Sequence, residues 1–258
     1  MSAVEQASRL DISRTESIPL SRLIRVELRK MADTRAGLWL LITIVVITVL
    51  VVGLLAIFGD SADHTFANFT AATATPQGFL LPVLGVLLIT SEWGQRATLT
   101  TFTLVPHRGR IIGAKVVAAV LFGIAAIVVA LAVAALATII SGGDNAWQDF
   151  SLDDLGRGLL LQTLSILQGL AFGMLFLNSA AAIVTYFVLP IAFSIVTSLI
   201  EALADIQPWI DLGTAQAPLF GAEAMTGEQW AQLLTTTVLW IGVPLVIGLG
   251  RVLRSEVK

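Results

Sequence analysis

The chain has 258 residues, 56% of them hydrophobic and 13% charged, with a formal net charge of −3 and a mean hydropathy of +0.88. Six apolar stretches consume most of that length, which leaves one helical membrane domain and no room for a soluble catalytic unit. Cysteine is absent, so disulfides and thiolate metal sites are excluded and the redox compartment is not encoded.

Residues 1–16 are polar and read as a disordered tail. Over 17–36 the pattern turns helical, with Pro19 suited to a first turn. Leu20, Leu23, Ile24, Leu28 and Met31 make one apolar stripe, and Arg22, Arg25 and Arg29 make a cationic one opposite it. Such a helix is expected to lie in the membrane interface with its Lys and Arg toward anionic head groups.

The apolar stretches cover 38–58, 79–90, 116–140, 159–177, 180–200 and 231–249, and none contains Asp, Glu, Lys, Arg or His. A spanning helix needs about 20 mostly apolar residues, so five qualify directly. The second is short and must either borrow the small residues of 71–78 or stay tilted or partly re-entrant. The first is too long for the hydrophobic region of a cleaved signal and reads as a retained span. The expected fold is therefore an all-α polytopic membrane protein, a six-span bundle over 37–250 with a tail at 251–258.

Fourteen of the 15 Lys and Arg residues precede the first span, separate the second from the third, or follow the sixth; Arg157 is the exception. Eleven acidic residues, from Asp60 to Glu228, collect in the alternate segments. Basic residues stay inside, so both termini are expected in the cytoplasm, and an odd number of spans would destroy the separation. Trp39 and Trp93 then sit at inner span ends, Trp147, Trp209 and Trp230 at outer ones, and Trp240 mid-span as packing or lipid contact. Pro190 and Pro244 fall inside the fifth and sixth spans and are hinge candidates. Asn178-Ser179 forces a tight hairpin between the fourth and fifth spans. Segment 201–230 mixes apolar residues with acids and Pro208, a pattern expected of short helices that cap the outer mouth.

Charge-free spans argue against ion coupling or a proton relay, which keep ionisable groups at membrane depth. The driving energy for any uphill transport must come from outside the chain. Catalytic candidates are thin: His64 and His107 are the only histidines and lie on opposite faces, and no Gly-x-Ser-x-Gly elbow occurs. No catalytic or metal site is assigned. The sequence also lacks a Gly-x-x-x-x-Gly-Lys-Ser/Thr loop for ATP phosphates. The polar groups available in the spans include Gln162 and Gln168 in the fourth, which read either as interhelical hydrogen bonds or as pathway residues. Tyr186, Phe187 and Phe193 give the fifth span apolar walls suited to an amphiphilic cargo.

Between the second and third spans, 95–104 has the pattern of a short helix that ends before Pro106, followed by a cationic turn. The acid at Glu92, the Thr-rich stretch after it, and Leu104-Val105-Pro106-His107-Arg108-Gly109-Arg110 with Lys115 resemble the permease subunits of the ABC transporter type-2 family. The lead Arg25-Val26-Glu27-Leu28-Arg29-Lys30-Met31 is similar to actinobacterial members, and the likeness covers nearly the whole chain. Gly94, ahead of Arg96, departs from the Gly-Thr pair expected after the acid.

The resemblance implies an N-terminal elbow helix, a cytoplasmic coupling helix between spans two and three that docks on a nucleotide-binding subunit, and an extracellular cap after the fifth span. It places Glu92, Arg96, Thr98, Thr101, Pro106, Arg108 and Arg110 in the docking region, with Arg25, Glu27 and Arg29 nearby. It further implies ATP and Mg on a separate ATPase chain, a second permease copy or homologous permease, membrane lipids as the surroundings and no nucleic acid. The location implied is a bacterial plasma (inner) membrane. The cargo class would be a drug, antibiotic, lipid or other amphiphile. A secondary transporter or channel, and an intramembrane enzyme, are the alternatives.

Overall fold

The computed structural model describes residues 18–94, 108–142, 146–148, 150–221 and 223–254, and among them every regular element is helical. Helix α1 (Leu20–Asp33) starts after Pro19 and ends at Thr34, which also caps the next helix. The Thr34 side chain accepts from the Gly37 N–H at 3.2 Å, so α1 and α2 (Arg35–Phe58) meet at a single extended residue. α3 (Phe66–Gly94) and α4 (Arg108–Ser141) flank residues 95–107. α5 (Leu152–Phe176) and α6 (Ser179–Leu199) follow. Two short helices, α7 (Gln207–Ile210) and α8 (Leu212–Gln216), then precede α9 (Gly227–Thr237), a π-helical turn (Val238–Gly242) and α10 (Val243–Arg254).

Six of these units are long and apolar enough to cross a membrane: α2, α3, α4, α5, α6 and the continuous Gly227–Arg254. The molecule has the architecture of a multi-pass membrane protein. The short second stretch is resolved in favour of borrowing, since α3 extends through 71–78 and carries Pro76 and Pro82 inside it. Segment 201–230 forms the short helices its pattern predicts. Residues 251–254, expected as tail, instead continue α10.

Local chemistry sets the boundaries. Ser151 and Asp154 form a reciprocal capping box at the start of α5, and Thr226 and Gln229 repeat it at α9. Leu177 adopts φ 52° at the end of α5 and Asn178 accepts from the Ala181 N–H at 3.0 Å, which makes the α5–α6 turn as tight as predicted. Pro190 leaves α6 unbroken. Before Pro244 the helix widens into the π-helical turn, which absorbs the hydrogen bond that proline cannot donate.

The most extensively packed helix pair is α3 with α5, and glycine permits it. A side chain on Gly169 would run into the Pro82 backbone, and one on Gly85 into the Ile166 carbonyl. Gly173 sits one turn on from Gly169, against Val86, so the pair forms the small-residue face by which membrane helices approach closely. Leu81, Leu84, Leu88, Ile166, Leu170 and Met174 surround this seam as the main apolar core. By contrast α2 and α6 keep broad exposed apolar faces, Ile57 and Val184 among them. Overpacking costs about 1–3 kcal/mol per site, so Gly169→Val should destabilise by more than about 2 kcal/mol. Gly113→Ala, where a methyl group meets open space, should stabilise by about 0.5 kcal/mol. Thermal unfolding of both variants in mild detergent measures the difference.

Candidate functional site

Two places in the bundle hold chemistry, one at each end. At the end that carries most of the basic residues, α1 lies across the starts of α2 and α4. Glu27 falls on the same helical line as Leu23 and Met31, four residues from each, and all three are buried. Its carboxylate meets Lys115 Nζ at 2.5 Å and Lys30 Nζ at 2.9 Å. Glu92, at the end of α3, takes the same two ammonium groups at 3.1 and 2.6 Å. Lys115 donates a third hydrogen bond to the Leu88 carbonyl at 2.9 Å. Two acids and two bases thus form a charge-balanced cluster, with Glu27, Glu92 and Lys115 buried and Lys30 at its half-exposed edge, that ties α1 to the last turn of α3 and the early turns of α4.

Helix length explains the position of Lys115. Thirty-four residues of α4 rise about 51 Å, well beyond the ~30 Å of a bilayer core. Its first two turns can therefore stand outside the hydrocarbon. Burial works against the charge on Lys30, but Glu27 and Glu92 outweigh it and hold its pKa above the ordinary 10.5. A lysine raised in the fold stabilises fully below its ordinary pKa and loses that contribution as pH rises through the raised value. On the alkaline side the Lys30 contacts therefore persist across neutral pH and are lost above 10.5, as pH rises through the raised value.

Arginines tie down the same end. Arg108 donates to the Val252 and Leu253 carbonyls at 2.9 and 3.2 Å, at the C-terminus of α10. Arg251 donates to Leu175 at the C-terminus of α5 at 2.7 Å. Each places positive charge where helix carbonyls lack partners. Arg110 reaches the Ile18 carbonyl at 2.6 Å, just ahead of α1.

Of the residues the resemblance assigns to docking, Glu27 and Glu92 sit within the ion cluster, Arg108 and Arg110 bind backbone, and Arg25 and Arg29 are exposed. Arg96, Thr98, Thr101 and Pro106, with the coupling helix expected over 95–104, lie outside the described residues, as do the 1–16 tail and His107.

At the opposite end, a cavity of about 460 Å³ opens between α3, α6 and α8, with one wall from α5. Gln168, Tyr186 and Phe187 line it together with Pro190, Gly78 and Phe220. Phe79 stacks on Phe187 at 5.9 Å and Tyr186 meets Phe187 edge-on at 4.9 Å. The other two pathway candidates go elsewhere. Gln162 donates to Gln77, which in turn donates to the Ala126 carbonyl, so this pair is an interhelical hydrogen-bond bridge. Phe193 packs edge-on against Trp240 at 5.3 Å.

Trp240 has a polar role that an apolar mid-span residue does not announce: its indole N–H donates to the Ile210 carbonyl at 2.8 Å and anchors α7 to the last span. Asp211 is buried as the cap of α8, accepting from the Thr214 N–H at 2.7 Å. Arg157 is also buried, paired with Asp153 at 2.5 Å and bound to the Gly221 carbonyl. A second cavity of about 340 Å³ beside Asn68 and Asp154 shares Ala74 and Phe220 with the first. No set of three His, Asp or Glu side chains capable of holding a metal occurs among the described residues.

No protein-family model and no curated protein matches the chain.

The cluster makes a quantitative demand. Removing one partner of a buried ion pair costs about 3–5 kcal/mol. Lys115→Met should sit near the lower figure, because Lys30 still contacts both carboxylates. Adding Glu27→Gln leaves a balanced Lys30–Glu92 pair and should recover at least half of the loss. Denaturant unfolding of the two single variants and the double variant reads the coupling directly.

Proposed function

We propose that the chain is the membrane-spanning permease subunit of an ATP-binding cassette exporter, worked from its basic end by a separate ATPase. The observation that carries this reading is the Glu27–Lys30–Glu92–Lys115 cluster. It rigidly joins an amphipathic helix to the two spans that flank 95–107, so a push on that segment would be delivered to the bundle rather than dissipated in a loop. In this reading α1 is the elbow helix, 95–104 the coupling helix, and α7 and α8 the extracellular cap.

Orientation follows from charge. The end bearing the basic residues faces the cytoplasm, with both termini inside a bacterial plasma membrane. ATP and Mg belong to the partner chain, and a second permease copy or a homologous permease completes the pathway. The spans offer no chain of ionisable groups for a proton or ion gradient to drive. Arg157, Glu92 and Lys115 lie near helix ends and are internally paired. The cavity at the acidic end, walled by the second and fifth spans, is where cargo would rest before release.

Inside-out vesicles that contain the chain and its ATPase test the proposal. Cargo uptake should stop with vanadate. Arg96→Glu should lower ATPase capture by about tenfold, the scale of one lost charge-assisted contact, while the permease still inserts and folds. Uptake that persists with the ATPase inactivated would overturn the reading and favour a secondary transporter or channel.

A further inference from the structure

The geometry points to the cavity at the acidic end as a binding site for a neutral, mainly apolar molecule bearing a carbonyl or amide group, read by Gln168. Gln168 is 3% exposed and lines the cavity, yet its amide nitrogen has no hydrogen-bond partner among the described residues. An unmet buried donor is costly, most of all where no water can reach it. Its counterpart Gln162, six residues earlier on α5, donates its amide N–H to Gln77, so an idle glutamine amide is not a general feature of this helix. A bound acceptor would supply what the fold withholds.

Three further observations define the ligand. No charged residue lines the cavity among the described residues, and an ion entering it would lose its hydration without a counter-charge. Phe79, Phe187, Ile191 and Phe220 give it apolar walls that suit rings or a short hydrocarbon body, and the uncharged polar side chains of Thr75, Tyr186 and Gln216 also line it. Two prolines supply acceptors as well. Pro82 and Pro190 have no N–H to give to the carbonyls of Gly78 and Tyr186, the residues four positions back, and both of those residues line the cavity. A molecule with one carbonyl and one hydroxyl or amide N–H therefore meets a donor and acceptors in a mainly apolar, uncharged site. The volume lies in the range for drug-sized ligands.

Calling the occupant cargo rests on the exporter reading; its binding does not. The test therefore uses the chain alone in lipid nanodiscs, with no ATPase and no nucleotide. The probe is 4-(hydroxymethyl)benzophenone, whose ketone is both acceptor and photoreactive group. Its carboxylate and trimethylammonium analogues serve as charged controls.

On irradiation the neutral probe should label peptides of α3 and α6 that contain 74–79 and 186–191, and the charged analogues should label them at least tenfold less. Gln168→Leu should weaken the neutral probe about five- to tenfold. Gly78→Leu, at a cavity-lining position where an added Cβ meets nothing within 4 Å, should block labelling and serves if Gln168→Leu does not fold. Equal labelling by all three probes, or neutral labelling spread over lipid-facing helices and unchanged by Gly78→Leu, would overturn the inference. Binding as predicted without ATP-driven movement of the probe would leave the site standing and count against the exporter reading.

Discussion

Two carboxylates and two ammonium groups, joining α1 to the last turn of α3 and the early turns of α4, are the contact on which the basic end of this molecule depends. Each of these charges would be costly to bury alone, and in the cluster each contacts both partners of opposite sign. Such a cluster is weak evidence for stability but strong evidence for registry, because a small displacement of α1 leaves charges unmatched. Thr34 adds a covalent constraint, since one residue serves as both the end of α1 and the cap of α2. α1 is thus held at its C-terminus by the chain and along its buried face by ions. Arg108 and Arg110, at the start of α4, link α10 and the entry to α1 into the same unit.

The opposite end is assembled on other terms. Close α3–α5 packing through Gly85, Gly169 and Gly173 builds a stiff centre, while α6 contributes little to the core and keeps most of its apolar surface outward. The cavity lies where the stiff centre meets that loosely attached helix. The short helices above it are pinned by Trp240 to Ile210 and by the buried Asp211 cap. A polar frame around an apolar hollow results, with Gln168 as its unmet donor.

Much of the fold was legible in the sequence because bilayer thickness imposes length on apolar runs. Six spans, the tight Asn178 turn and the short helices of 201–230 follow from hydropathy and local capping chemistry alone. The second span was ambiguous because Ala, Thr and Gly over 71–78 carry little hydropathy, and its helix is held instead by packing on α5, which no local pattern reports. The ion cluster was hidden for a similar reason. Glu27 and Lys115 are 88 residues apart, and each reads singly as a surface charge near a membrane face. One signal was present: an acid placed between Leu23 and Met31 on the apolar line of α1 has to find a buried partner. Gln162 and Gln168 look alike in sequence, and only tertiary contacts separate a structural bridge from an idle donor.

Amide hydrogen exchange across α1 tests most directly whether the buried charges hold that helix in place. The account predicts strong protection of residues 20–33 in the intact protein and its loss in Lys115→Met, with residues 152–176 of the central helix still protected. Unchanged protection of α1 in Lys115→Met would mean that its apolar stripe alone secures it, and the clasp would cease to be the structural basis of the coupling described here.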